Sequence, residues 1–285
     1  EHHTTLQALP AGLIDALARQ GGTLATILGS SVSGEIDLDY QPDKPGNADL
    51  TLDSANVTGT VRARLAADDN GRMHMTLRED ALLKVQVTPD TSQALLAKAN
   101  PLLRYAAGAE APIPVTIKQS GFNVPIDAFK LDGVTANVHL DQSKIRLASR
   151  GVLGQLLGLL QQGNYISEKD QYLAVIHETD VALSDGVVAS DGLKLTTAGI
   201  DMTSTGKVLL MDNNKLEDMT VTLGGENLPK EARGVSVALG GTASSPTLSE
   251  DALVKALAEA GGRALIKEFL NGDKKDKNGD VKSGV

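Results

Sequence analysis

Alternation of apolar and polar residues dominates the chain and is typical of half-buried β-strands. Ile36 and Leu38, for example, alternate with Asp37 and Asp39, and the same two-residue period returns in later segments as far as Leu239. Because successive side chains of a strand point to opposite faces, such segments give a sheet one aliphatic and one polar face. The pattern therefore predicts an α+β fold that is mostly β, with a long curved antiparallel sheet or sheets and several amphipathic helices packed on one face.

Segments with apolar residues every three or four positions interrupt this alternation. They predict helices at about 10–28, 89–106, 151–162 and 249–270. In Thr88-Pro89-Asp90, a hydroxyl N-cap, a proline at the first helical position and an acidic first turn favour a helix start, and Asn100-Pro101 predicts a kink or a restart. Residues 152–160 are apolar nearly all round the helix but too few to span a bilayer, which indicates a buried element or one that lies against an apolar surface.

Nothing in the composition divides the chain into separate domains. No Pro-, Ser- or Gly-rich linker interrupts residues 1–271, so we predict a single elongated antiparallel β domain over that range. Residues 272–285 are charged and contain glycine, and we predict that they form a disordered tail. Turns within the domain are indicated by Asp69-Asn70-Gly71, Asp185-Gly186, Asp191-Gly192 and Asp212-Asn213-Asn214.

Composition argues against several classes of function. Aromatic residues make up only 2% of the chain, Trp is absent from the sequence, and the formal net charge is −9. Nucleic-acid binding relies on aromatic stacking and on a clustered positive field, so we expect no nucleic-acid partner. The sequence has no cysteine, which excludes disulfides, thiolate metal sites and cysteine nucleophiles. It also has no apolar run long enough to span a bilayer, so we expect any membrane anchor to lie in a segment outside this chain.

The sequence lacks the common motifs of catalysis and cofactor binding. It contains no G-x-S-x-G elbow, no Walker loop, no G-x-G-x-x-G and no H-E-x-x-H. His2 and His3 lie at the start of the chain and are interpreted as a terminus, whereas His74, His139 and His177 fall in separate predicted strands. We therefore predict that the protein is not an enzyme and has no metal and no cofactor. A hydrolase would require one of the strand histidines beside a carboxylate in a polar cleft.

The aliphatic face of the predicted sheet is the main candidate for a function. An apolar surface with few polar groups suits alkyl chains, because it offers dispersion contacts and leaves few polar groups without partners. An ordinary core covered by helices explains the same pattern, and the strand periodicity is compatible with both. By strand phase, the residues assigned to a lipid-binding face are Met73, Met75, Leu77, Val181, Leu183, Leu193, Leu195, Met219, Val221 and Leu223.

The C-terminal third carries a succession of short motifs. It runs through 206–210 (GKVLL) and 216–223 (LEDMTVTL) to the turn 241–246 (GTASSP) and the predicted helix 249–270. This succession resembles the C-terminal region of AsmA-like bacterial envelope proteins, in which a β-strand leads through a G-T-x-x-x-P turn into a closing amphipathic helix. The resemblance implies an elongated β groove in the periplasm, tethered by an N-terminal membrane helix, that carries or shields phospholipid acyl chains.

Together these observations predict a non-enzymatic protein of the cell envelope. Its apolar β groove would bind or shield lipid acyl chains and contribute to outer-membrane homeostasis or lipid transport. We expect it in the periplasm or cell envelope, tethered to a membrane through a segment outside this chain. The expected partners are lipid or a membrane surface, together with other envelope proteins. The alternative is a structural or protein-interaction module of the envelope, with a fully packed core and no ligand.

Overall fold

The computed structural model describes residues 2–18, 22–41, 44–126, 133–162, 166–167, 169–228 and 230–249. These residues are mostly β and are built on one large open antiparallel sheet. The coarse prediction of a mostly β antiparallel fold is thus confirmed. The predicted helix 249–270, apart from its first residue, and the predicted tail 272–285 lie outside the described residues.

The sheet contains eighteen strands among the described residues. The first nine are β1 (His2–Pro10), β2 (Ser31–Gln41), β3 (Lys44–Ser54), β4 (Val57–Ala67), β5 (Met73–Leu77), β6 (Ala81–Val85), β7 (Ala106–Ala109), β8 (Ile113–Ile117) and β9 (Val124–Pro125). The others are β10 (Ala136–Leu140), β11 (Ser143–Ala148), β12 (Gln171–Ile176), β13 (Thr179–Ser184), β14 (Val187–Thr197), β15 (Ile200–Leu209), β16 (Lys215–Gly224), β17 (Ser236–Thr242) and β18 (Ser245–Leu248).

The strands follow one another across the sheet in chain order. Several of them lie end to end and form one long strand with a short break. For example, β10 and β11 pair with β13 and β12 in a single register, because Leu140 lies opposite Thr179 and Ser143 lies opposite Ile176. In the same way β5 and β6 both pair with β4, and β12 and β13 both pair with β14. The sheet is therefore a continuous antiparallel meander from β1 to β18.

Among the described residues, helical segments connect strands at one end of the sheet. They are Ala11–Ala18, Thr23–Leu28, Pro89–Thr91, Ser92–Leu96 (a π-helical segment), Ala97–Ala99, Pro101–Tyr105 (a 3₁₀ helix), Gly151–Gln162 and Lys230–Ala232 (a 3₁₀ helix). Hairpins and short loops make the connections at the opposite end. The prediction of several amphipathic helices packed along one face is not supported, because most of the helical segments are short and lie where the chain turns between strands.

The sequence signals for helix starts agree with the structure. At the predicted start, Thr91 donates its backbone N–H to Thr88 Oγ1 at 3.1 Å, and Thr88 donates its own to Thr91 Oγ1 at 2.8 Å, a reciprocal capping box. The helix ends at Ala99 and a 3₁₀ helix begins at Pro101, which confirms the predicted restart. The helix predicted at 10–28 is divided into two, and residues 19–21 between them lie outside the described residues.

One prediction about local structure is wrong. Asp191-Gly192 is not a turn but lies inside β14, where an extra residue forms a bulge: Asp191 pairs with Thr205, while Leu193 pairs with Ser204. The chain reverses later, at Ala198-Gly199, where both residues have positive φ. His2 and His3, at the start of the chain, belong to β1, which pairs with β2.

Buried hydrogen bonds fix the helical segments to the sheet. Asn100 Nδ2 donates to Ser204 Oγ on β15, and Ser204 Oγ donates to the carbonyl oxygen of Leu193 at 3.2 Å. Asn100 Oδ1 also accepts the backbone N–H of Leu102 at 3.0 Å, which caps the 3₁₀ helix. Asn100 and Ser204 are both fully buried. Because buried polar groups need partners, these bonds specify where Pro101–Tyr105 docks on the sheet.

We predict that Asn100→Ala lowers the free energy of unfolding by about 1–3 kcal/mol, because it removes a helix cap and a buried hydrogen bond to Ser204. Urea denaturation followed by circular dichroism measures the change. Asn70→Ala, in the exposed turn between β4 and β5, is the matched control and should change stability by less than about 0.5 kcal/mol. Equal stability of the two variants would show that the buried bond does not hold the segment in place.

Candidate functional site

The pairing register places the aliphatic residues of the long strands on one face of the sheet, which we call the apolar face. Ile36 lies opposite Leu50, and Leu50 lies opposite Val61. Farther along, Leu83 lies opposite Val115. Residues directly opposite each other on neighbouring strands share a face, so the aliphatic rows of neighbouring strands are joined into one surface.

The other face, which we call the polar face, is hydrated and carries exposed ion pairs. Arg62 Nη1 lies 2.8 Å from Glu79 Oε1, and Lys207 Nζ lies 3.6 Å from Glu217 Oε2. Exposed pairs of this kind contribute only about 0–1 kcal/mol each to stability. Their main effect is to keep this face in water, so the sheet as a whole is amphipathic.

Over the later strands the apolar face is closed. Leu153 and Leu157 of the helix Gly151–Gln162 are fully buried in one cluster with Leu193 and Leu195 of β14. Leu102, from the 3₁₀ helix that Asn100 caps, belongs to the same cluster and is also fully buried. These side chains leave no surface to a ligand, so this part of the apolar face is a packed core.

Over the earlier strands the apolar face is only partly buried. Among the described residues, its partly exposed aliphatic side chains on β2–β6 and β8 are Ile36, Leu38, Leu50, Leu52, Val61, Met73, Met75, Leu83, Val115 and Ile117. We call this set the open apolar surface. Val115 packs against the closed core, so the open and closed parts of the face are continuous. The backbone groups beneath the surface are paired within the sheet and present few polar atoms to a ligand.

The ten residues assigned from strand phase lie on the apolar face, but in two environments. Met73, Met75 and Leu183 are partly exposed, while Leu77 and Val181 are buried at 4% and 7% exposure. Val181 and the remaining five belong to the packed core cluster, the five being Leu193, Leu195, Met219, Val221 and Leu223. We therefore place these six in the core, in one cluster with the helix leucines Leu153 and Leu157.

Sequence reasoning missed most of the open apolar surface. Ile36, Leu50, Val61 and Leu83 carry the same alternation as the assigned residues, but they were not assigned to the lipid-binding face. The periodicity of a strand shows which residues share a face but not whether a helix covers them. The position of the helical segments, at one end of the meander and over the later strands, supplied the missing information.

Each of the strand histidines lies beside another polar side chain, and His74 Nε2 lies 3.3 Å from Asp68 Oδ2. His139 Nδ1 lies 2.8 Å from Asp180 Oδ1, in a shallow cleft on the polar face, but the Asp180 side chain is 81% exposed. His177 Nε2 lies 2.8 Å from Thr196 Oγ1, and that hydroxyl donates to Asp201 Oδ1 at 2.6 Å. His177 therefore donates to the threonine and cannot act as its base. In the described part of the chain, no group of three or more metal-ligating side chains could hold an ion.

Asp201 is the acidic group with the best-defined electrostatic environment on the polar face. Its Oδ2 lies 2.8 Å from Lys194 Nζ, and its Oδ1 accepts the hydroxyl of Thr196. Partial burial acts to raise the pKa of Asp201, but the hydrogen bonds from Lys194 and Thr196 and the positive charge of Lys194 outweigh it and lower the pKa below its usual value. The ionised carboxylate thus stabilises the hairpin of β14 and β15.

Comparisons with known proteins give no information about function. Models of protein families, curated proteins and solved structures were all compared with the chain, and none of them matches it. None of the helices in the described residues combines the length and hydrophobicity that crossing a bilayer requires.

Substitutions on the two parts of the apolar face should lower the free energy of unfolding by different amounts. Leu195→Ala, in the closed core, should lower the free energy of unfolding by about 2–5 kcal/mol, because it opens a cavity. Leu50→Ala, on the open apolar surface, removes partly hydrated methyl groups and should cost about 1 kcal/mol. Chemical denaturation measures both values. A cost for Leu50→Ala as large as that for Leu195→Ala would mean that the open surface is in fact covered.

The lowered pKa of Asp201 predicts a pH-dependent contribution to stability. This contribution is complete above the ordinary aspartate pKa of about 3.9, and it is lost as the pH falls through the lower folded-state pKa. Asp201→Asn should therefore cost about 1 kcal/mol at pH 7, and the difference from the original protein should vanish in acid. Thermal unfolding at several pH values measures it, with the exposed Asp53→Asn as the control. An Asp201→Asn cost that does not change with pH would contradict this assignment.

Proposed function

We propose that the protein binds or shields lipid acyl chains on the open apolar surface of β2–β6 and β8. One observation carries the proposal: partly exposed aliphatic residues form connected rows across neighbouring strands, while the opposite face of the same strands is polar. Contiguous exposed apolar surface is uncommon on a protein that remains free in water, and it marks a site for an apolar partner.

The chemistry of the surface fits a hydrocarbon chain better than a polar ligand. Leu50, Leu52 and Val61 offer dispersion contacts, and the backbone groups between them already have partners within the sheet. Each methylene group that moves from water onto such a surface gains about 0.8 kcal/mol when fully buried. A chain of ten or more methylenes would therefore bind even where only part of each group is covered.

The described residues allow an acyl chain to lie on the surface but not to penetrate the core. The closed cluster under the helix Gly151–Gln162 contains fully buried leucines on both sides of its interface. The partly exposed Leu183 lies at the border of this cluster and packs against it. We accordingly place the lipid on the earlier strands, with the packed part of the sheet as the rigid support.

The place of action follows from the sequence motifs as part of the same proposal. The segment 241–246 (GTASSP) forms the turn that follows β17, as in the AsmA-like pattern, but here the turn leads into β18 and not directly into a helix. We propose that the protein acts in the periplasm or cell envelope as an AsmA-like protein, and that it contributes there to outer-membrane homeostasis or lipid transport. In this role it performs no reaction, because the surface offers hydrocarbon contact and no nucleophile.

A protein-interaction module is the second candidate function. The extensive closed core favours it, since a sheet stabilised in this way folds without any ligand. In that case the open apolar surface would be covered by another protein of the envelope. The two candidates differ in whether the purified protein takes up an acyl chain.

Adjacent leucines on opposite faces of β6 provide a direct test. Leu83 is partly exposed on the apolar face, whereas Leu82 is 65% exposed on the polar face. The purified protein should take up a fluorescent fatty acid, and native mass spectrometry should detect the complex. Leu83→Glu places a charge on the open apolar surface and should weaken binding at least tenfold, which corresponds to about 1.4 kcal/mol. Leu82→Glu should bind as the original protein does.

Two outcomes would count against lipid binding. Uptake that is lost equally in Leu82→Glu and Leu83→Glu would point to a general effect of charge instead of a specific face. Absence of uptake by the original protein, together with a mass free of any co-purified lipid, would favour the protein-interaction module.

A further inference from the structure

We infer that a second site, a cleft lined by two arginines, binds a phosphate-type oxyanion. The cleft is open to solvent and has a volume of about 450 Å³ between the helical segments and the turn from β17 to β18. Its lining residues are Gln93, Arg104, Tyr105, Arg150, Ser244 and Ser245, together with Gly151 and Pro246. They come from four separate parts of the chain. We call it the arginine cleft.

The charge of the arginine cleft is unusual for this protein. The chain has a formal net charge of −9, yet every charged residue that lines the cleft is an arginine. Arg104 and Arg150 form no ion pair with any acidic group in the described part of the chain, in contrast to Arg62, which pairs with Glu79. Two guanidinium groups that share one cleft without a counter-charge repel each other, and a bound anion would relieve that repulsion.

Further donors converge on the same space. The Gln93 amide and the Ser245 hydroxyl have no side-chain hydrogen bond within the described residues, and both line the cleft. The Tyr105 ring is 6% exposed and forms a rigid wall, because its hydroxyl accepts the backbone N–H of Val152 at 3.3 Å. The cleft is therefore built from several backbone segments and presents solvent-exposed donors of several kinds to a ligand.

This set of donors suits a tetrahedral oxyanion better than a carboxylate. A guanidinium group binds two oxygens of a phosphate through parallel N–H donors. Two guanidinium groups, an amide and a hydroxyl can serve three or four oxygens, whereas a carboxylate has only two. The ligand class is thus phosphate or a phosphate ester, which includes the head group of a phospholipid. The inference rests on the cleft alone and does not require acyl-chain binding on the open apolar surface.

Titration with inorganic phosphate, followed by isothermal calorimetry, tests the arginine cleft. The original protein should bind phosphate with a Kd of about 1 mM or lower, which corresponds to roughly −4 kcal/mol. Arg104→Gln and Arg150→Gln should each weaken binding about tenfold or more. Arg146→Gln, which removes the same charge from an exposed position on β11, is the matched control and should leave the Kd unchanged. Circular dichroism verifies that all three variants are folded.

Either of two results would overturn the inference: unchanged phosphate binding in both cleft variants, or an equal loss in Arg146→Gln, which would mean a diffuse effect of net charge. Vesicles of phosphatidylcholine with and without phosphatidic acid then separate the sources of the phosphate group. If the cleft variants also lose binding to phosphatidic acid vesicles, the ligand is a lipid head group. If vesicle binding is unchanged while phosphate binding falls, the ligand is a free phosphate compound.

Discussion

Burial sets the register of the meander, because its strands keep most of their aliphatic residues on one face, with Leu82 on the polar face as an exception. Since side chains alternate along a strand, a slip of one residue in register would move a whole row into water. In the later strands the two-residue spacing of buried positions is broken twice by a spacing of three, from Ser190 to Leu193 and from Leu216 to Met219. In each case a bulge takes up the extra residue, so the pairing continues with the aliphatic face preserved.

The unequal covering of that face produces both stability and a surface for a partner. Chain connections at one end of the sheet are long enough to form helices, and two of these helical elements fold over the later strands. There a buried hydrogen bond from Asn100 to Ser204 fixes the 3₁₀ helix Pro101–Tyr105 to the sheet. The earlier strands have no equivalent cover among the described residues, and they leave their leucines and valines partly in contact with water. One amphipathic sheet thus supplies a rigid core and, next to it, an apolar surface.

Local physics made much of the fold predictable from sequence. Alternation located the strands, and Thr88-Pro89 and Asn100-Pro101 located the helix boundaries, because caps and prolines act within a few residues. The turn predicted at Asp191-Gly192 was wrong because a bulge and a turn both use glycine and both change the alternation of apolar residues. Only the pairing with β15 distinguishes the two. The candidate site was harder, since whether Leu195 or Leu50 is covered depends on helices distant in sequence. The arginine cleft, built from four separate segments, carries no local signal.

We propose that the apolar face is open to hydrocarbon over the earlier strands and closed over the later ones. Methyl-resolved NMR with spin-labelled stearic acid observes both parts in one sample, because the label broadens the resonances of nearby methyl groups. We expect strong broadening for Leu50, Leu52 and Leu83, and none for Leu195 and Val221. Broadening of neither group, or equal broadening of both, would contradict it.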